Sequence, residues 1–262
     1  MNEWSKRRKR IIFSIIVTAL VVLIGAPLFF LFYRAPTCFD GKHNGDETGI
    51  DCGGSCQLLC RAESLSPIIK GDPRILSLTN SSFEVVALIE NPNVDAEIHR
   101  ARYSIKLYAR DSILPIKTIE GETYVPKGAT FAIFEGPFAI DSGALPAKAV
   151  FVWDDQSLFW QKDLKPRPEL VITNINLSRK DTNPRLEAVI ENRSLERVSN
   201  IDITALISDQ TGSIFAASKT FIDTLPAGGE SPVVFTWPRA FVAEAVDIEI
   251  ITRVFPDSSF VR

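Results

Sequence analysis

From Ile11 to Tyr33 the chain runs 23 residues without a charged side chain. At about 1.5 Å of helix per residue the run reaches roughly 34 Å, enough to cross a hydrocarbon core of about 30 Å. Gly25 and Pro27 would break such a helix in water, but a bilayer tolerates them because no solvent competes for the backbone. A cleaved signal peptide is the competing reading. Its apolar core is shorter, about 7–15 residues, and ends in a small-x-small site that this run lacks. A lipoprotein signal fails as well, since Ala35, Pro36 and Thr37 precede Cys38 where an aliphatic-small-small run is needed. Residues 11–33 are therefore expected to form a transmembrane helix retained as a signal anchor.

Cations set the orientation. Lys6, Arg7, Arg8, Lys9 and Arg10 precede the span, and only Arg34 and Lys42 follow it closely. The positive-inside rule then keeps residues 1–10 as a cytoplasmic basic tail and places the C-terminal ectodomain outside, in a single-pass protein of the cell membrane. Five cations beside a span suit contact with anionic headgroups, so no nucleic-acid partner is expected. The net charge of −3 divides into +4 on the tail and −7 on the other side, and the mean hydropathy of +0.09 is raised by the one span.

All four cysteines, Cys38, Cys52, Cys56 and Cys60, fall within 23 residues, marking a separate Cys-rich module over 34–64. Outside the cytoplasm an even set of cysteines reads as two disulfides, and the sequence leaves all three pairings open. Four-thiolate zinc is the competitor, but the intervals of 13, 3 and 3 residues give only half of the usual paired spacing. Between Cys38 and Cys52 the chain is rich in oxygen ligands. Asp40, Asn44, Asp46 and Asp51 are candidate calcium ligands, although Lys42 occupies a position that a calcium loop gives to an oxygen. The other reading is that Asp, Asn and Gly supply turns in a stapled knot, with no cofactor. The segment Cys-x-Asp-Gly-x-x-Asn-Gly-x-Glu-Thr-Gly-x-Asp-Cys-Gly-Gly-x-Cys resembles a short cysteine motif of bacterial secreted and surface proteins. That resemblance implies location and no activity.

Beyond residue 70 the chain repeats itself. Ala87-Leu88-Ile89-Glu90-Asn91 returns as Ala188-Val189-Ile190-Glu191-Asn192, shifted by 101, and Val125-Pro126-Lys127-Gly128 returns as Leu225-Pro226-Ala227-Gly228, shifted by 100. Two domains are expected, 65–164 and 169–262, joined by the Pro-rich linker 165–168, whose prolines stiffen the connection. Tyr103, Ile105 and Leu107 alternate with Ser104 and Lys106. Ile201, Ile203, Ala205 and Ile207 alternate with Asp202, Thr204 and Ser208, and Ile248, Ile250, Thr252 and Val254 with Asp247, Glu249 and Arg253. This period of two marks half-buried strands with polar residues outward. The fold class is mainly β: one N-terminal transmembrane helix, a small disulfide-rich module and two tandem antiparallel β-sandwiches.

Glu90-Asn91-Pro92-Asn93, Tyr103-Ser104-Ile105-Lys106-Leu107-Tyr108 and the Val125–Gly128 turn resemble the water-stress and late-embryogenesis β-sandwich. The second copy, with Ile190–Ser194 and Ala205–Gly212, looks like its bacterial extracellular relatives. The resemblance implies a seven-stranded Ig or fibronectin-like fold, common in membrane-tethered envelope proteins and without a catalytic site. Arg193 stands where the first copy has Pro92, so the Asn-Pro-Asn turn is not shared. Asn91 and Asn192 read as strand-end residues able to take positive φ.

Chemistry is sparse. The sequence has no nucleophile elbow, phosphate loop or paired zinc histidines. His43 and His99 are expected in solvent, and Asp154-Asp155 in a turn after the strand ending at Trp153. Phe159, Trp160 and Trp237 are expected to be buried. Asn80, Asn176 and Asn192 head sequons that matter only in a eukaryotic secretory pathway. These features point to a non-catalytic structural or protein-interaction protein of the cell envelope with an envelope protein as partner. The alternative is a calcium-dependent adhesion or glycan-binding receptor, and the oligomeric state stays open.

Overall fold

The structure, a computed structural model, describes residues 3–33, 35–79, 81–140 and 144–256. Arg34 and Asn80 lie outside the described residues. The chain divides into a unit over residues 1–56 and a second over residues 57–262.

The first unit begins with α1 (Glu3–Phe32). Its apolar side chains are exposed on every face, and within Trp4–Phe32 an 18-residue window has a mean hydropathy of 2.8. It has the length and composition that a membrane anchor and a signal sequence share. Lys6 to Arg10 occupy its early turns and are exposed.

The second unit is built from β-strands. Its first half comprises β1 (Ile68–Ile69), β2 (Arg74–Ser77), β3 (Ser82–Glu90), β4 (Ala96–Ala109), β5 (Lys117–Val125), β6 (Thr130–Ala139), β7 (Pro146–Trp153) and β8 (Gln161–Lys162). In one sheet β3 carries β1 and β2 on one side and β6 on the other, and in the second sheet β4 lies between β5 and β7, with β8 added at Ala96 and Glu97. The second half comprises β9 (Leu170–Ser178), β10 (Arg185–Asn192), β11 (Val198–Ser208), β12 (Ile214–Leu225), β13 (Glu230–Thr236) and β14 (Asp247–Val254). Its sheets run β13–β10–β9 and β12–β11–β14. Every pairing is antiparallel, and the principal strands pair in the same order in both halves. Six principal strands make each sandwich among the described residues, where the resemblance implied seven.

Each sandwich closes on its own core: Val85, Ile89, Ile105, Leu107 and Phe131 in the first, Leu186, Ile190, Ile203, Ile207 and Phe235 in the second. A third apolar cluster joins them. Leu76, Val86 and Ala132, from the β2–β3–β6 sheet, meet Leu206 and Ala217 from β11 and β12. Among the described residues no strand pair joins the two halves, but their facing sheets are packed against each other. The four sheets stack in order, and β3 and β11 are buried on both faces, as two-sided apolar strands must be.

Candidate functional site

In the cysteine segment Cys38 is bonded to Cys56, closing a loop with a sequence separation of 18. Cys52 and Cys60 are also disulfide-bonded and no thiol is free, so thiolate zinc chemistry is removed. The acidic residues are engaged in turns. Asp51 Oδ1 accepts from the backbone N–H groups of Asp40 (2.9 Å) and Gly41 (3.1 Å). Asp40 accepts from the Lys42 N–H (3.0 Å) and from Asn44 Nδ2 (2.9 Å), and the Asn44 bond leads in holding its carboxyl below the usual range. Ser55 Oγ donates to Asp46 Oδ1 at 2.7 Å. A Cβ on Gly54 would stand 1.8 Å from the Asp46 carbonyl oxygen, so only glycine lets these two segments approach. Glu47 is buried, with its Oε1 3.6 Å from Cys56 Sγ, a disulfide sulfur with no proton to donate. Exposed His43 places Nε2 2.7 Å from the Glu47 carbonyl oxygen.

Asn91 and Asn192 do not adopt positive φ. Their side chains are buried and act as staples. Asn91 Nδ2 donates to the carbonyls of Ala96 (2.8 Å) and Pro126 (2.9 Å), and its Oδ1 accepts from the Asn93 N–H at 2.9 Å. Asn192 Nδ2 donates to Glu196 O (2.9 Å), Leu225 O (3.1 Å) and Pro226 O (2.9 Å), while its Oδ1 accepts from the Ser194 N–H at 3.0 Å. Each amide ties the end of one strand to the next strand and to the Pro-x-Gly turn, satisfying carbonyls that the core would otherwise leave unpaired. Asn192, fully buried and bonded, presents no glycosylation site, whereas Asn176 is exposed on β9.

The junction between the sandwiches holds the polar groups that the sequence did not announce. Arg253 was expected to face solvent. It is instead 9% exposed, with Nη1 donating to Thr123 Oγ1 at 2.9 Å and Nη2 3.4 Å from Asp202 Oδ2. Its guanidinium lies over Phe255 (4.5 Å) and Phe131 (5.2 Å), and burial pulls its pKa down against the attraction of Asp202. Asp202 also pairs with Lys219 at 2.8 Å. Nearby, the Tyr103 hydroxyl donates to Glu135, and burial first, then Glu135, raises the phenol's pKa. Lys127, nearly buried, holds the connector through Asp163 Oδ2 (2.9 Å), Asp163 O (2.6 Å) and Lys165 O.

Two clefts open on this junction. One, about 730 Å³, is lined by Glu97, His99, Tyr124, Lys162, Arg167 and Phe255 among others. Tyr124 donates to Glu97, and His99 Nε2 lies 2.8 Å from the other Glu97 oxygen, so His99 is half-buried and bonded, not free in solvent. The other cleft, about 710 Å³, lies between β2, the start of β7, the start of β12 and the segment 237–242. Glu84 lines it. Its residue is 8% exposed and its Oε2 has no hydrogen-bond partner, and burial pushes its pKa up to about 7. A bulge in the β3–β6 pairing between Phe83 and Val85 presents this side chain, opposite Gly136 with φ of 130°. A Cβ at Gly136 would stand 2.9 Å from Glu84 Cγ.

Asp154 caps a 3-10 turn over Asp155–Ser157, and its carboxylate pairs with Arg102 at 2.8 Å, as a turn after Trp153 predicts. Trp160 and Trp237 are buried, the latter donating from Nε1 to Ala217 O at 2.9 Å, but Phe159 is 60% exposed because it falls between the 3-10 turn and β8 with its ring off the core.

No protein-family model matches the chain, and no curated protein is similar to it. Among solved structures, a crystal structure of red sea bream transglutaminase aligns with 71% of this chain and 31% of its own, at 11% identity and a TM-score of 0.22. A likeness of that size has no bearing on fold or activity.

Proposed function

We propose that the chain is a single-pass, membrane-anchored scaffold of the cell envelope. In this reading its basic tail is cytoplasmic, and its two sandwiches, copies of one repeat, stand outside and bind another envelope protein without catalysing a reaction. The carrying observation is the junction: a third apolar cluster, the Arg253–Asp202–Thr123 contacts and the Lys127 anchor hold the two sandwiches at a fixed geometry. A fixed body with free sheet edges is suited to presenting surfaces to a partner. Oxidised cysteines support an extracytoplasmic location. Several polar groups at the junction are engaged in structural bonds, as in Tyr124–Glu97–His99.

Protease added to intact spheroplasts tests the topology: the sandwiches should be digested, and protection until lysis would refute it. A photo-crosslinker introduced at exposed positions tests the partner: a discrete crosslinked envelope protein is expected, and its absence from every face would refute the scaffold. The alternative, a calcium-dependent receptor, draws on Asn44 Oδ1, which is buried without a partner. It is opposed by the engagement of Asp40, Asp46 and Asp51 described above. Melting in EDTA and in millimolar calcium decides between them: an unchanged Tm is expected, and a calcium-dependent rise would establish the alternative.

A further inference from the structure

Glu84 has no structural work that its position explains. A buried carboxyl with an unpartnered oxygen opposes the packing of the junction it adjoins, and an alanine would occupy the bulge without that cost. Such a group in a cleft points to a ligand that supplies the missing donor.

The walls say what form the ligand takes. β2 is the terminal strand of its sheet and pairs only with β3. Its whole length, within the continuous run Asp72–Leu78, lines the cleft. Facing it, Ser213–Ala217 contribute the start of β12, which ends the β12–β11–β14 sheet. A free strand edge along a cleft is a template for an added strand. The remaining surface mixes polar and apolar groups, with half-buried Ile214, Phe215 and Phe241 forming its apolar part, and about 710 Å³ is room for a few side chains rather than a folded domain.

We propose that this cleft takes an extended segment of a partner polypeptide, which pairs along the outer edge of β2, lays an apolar side chain on Phe215 and Phe241, and sets a basic side chain against the Glu84 carboxyl. The proposal rests on the scaffold reading above and names its contact surface. An extended peptide directs every second side chain to the same face, so the apolar and basic residues stand two apart. A cation is the donor of choice because a charge-assisted bond to a partly desolvated carboxylate is stronger than a neutral one. Arg74, Lys148 and Arg239 also line the cleft, but they are exposed, where solvent and salt screen them from a head group at Glu84.

The test is selection of displayed linear peptides of about twelve residues on the full chain in detergent micelles, followed by fluorescence-anisotropy titration of those selected. Selected peptides should share a Lys or Arg two residues from an apolar residue. Glu84→Gln should weaken them about tenfold, as should norleucine in place of the basic residue, and the two changes together should cost no more than either alone. Ala147→Trp, an exposed substitution at the cleft wall, should abolish binding with the thermal transition unchanged. Methylation of alternate peptide nitrogens should abolish binding, and methylation of the intervening ones should be tolerated. Selection that yields no peptide, peptides indifferent to Glu84→Gln and Ala147→Trp, or tolerance of methylation throughout would overturn the proposal. If crosslinking finds an envelope partner on another face, the scaffold reading stands and this inference falls. If no partner is found anywhere while the peptides behave as described, the cleft stands and the envelope role falls.

Discussion

Replacing Glu84 by Gln should make the protein more stable at alkaline pH and leave it nearly unchanged at acidic pH. In the unfolded chain this carboxyl titrates near its ordinary value of 4.5, and in the fold burial raises it to about 7. The raised value means that the native state holds the proton more tightly. Below the unfolded pKa both states are protonated and the group is neutral in the balance. Between 4.5 and about 7 the unfolded chain gives up the proton while the fold retains it, so stability falls as pH rises, and above that range the loss is constant. At about 1.4 kcal/mol per pKa unit the shift sets a ceiling of roughly 3 kcal/mol, and because the cleft admits water beside the group, about 2 kcal/mol is the working figure. Urea unfolding of the full chain in non-ionic micelles, followed through Trp153, Trp160 and Trp237, gives the free energies of wild type and variant at pH 5 and pH 8. Their difference cancels the other titrating groups. Glu84→Gln should gain about 2 kcal/mol on wild type between the two pH values. A difference that does not change with pH, or one that favours wild type at pH 8, would refute the burial argument.

Three further outcomes follow from the same structure. Asn192→Ala should cost about 2–4 kcal/mol in urea unfolding, because three carbonyls and one N–H lose a buried partner, and Asn91→Ala should cost nearly as much; a loss under about 0.5 kcal/mol would mean that the staples are replaceable by water. Arg253→Met should remove about 2–3 kcal/mol and split the unfolding of the two sandwiches, seen as two calorimetric transitions where wild type has one. Replacing Cys38 and Cys56 by Ser opens a loop of 18 residues, worth about 3 kcal/mol in chain entropy, and should expose residues 39–55 to limited proteolysis; resistance equal to wild type would show that the turn bonds alone hold the segment.

The layer order of the sandwiches is written in their strands, although period two alone does not reveal it. In β10, Leu186, Ala188, Ile190 and Asn192 are buried while Arg185, Glu187, Val189 and Glu191 are partly exposed, the alternation of a strand with one covered face. β4 behaves likewise over Tyr103–Leu107. These strands belong to the two outer sheets. β3 departs from the pattern: Phe83, Glu84, Val85, Val86 and Ala87 are buried in succession, and β11 does the same from Ile203 to Ile207. A strand with apolar residues on both faces sits in an inner layer, and Val85-Val86-Ala87-Leu88-Ile89 already signals this for β3, whereas Thr204 makes β11 read as half-buried until the facing sheet is in place. The polar members of those inner faces carry the opposite lesson. Thr204 and Arg253 occupy the outward phase of their strands, and alternation assigns them to solvent, whereas the second sandwich is built over Arg253 and the bulge turns Glu84 into a cleft. Hydrophobic periodicity reports which face is apolar, and a charged residue on a covered face is invisible to it until the partner sheet is in place. The groups hardest to read in this chain are therefore the ones at the sandwich junction, where the anomalous carboxyl and guanidinium are found.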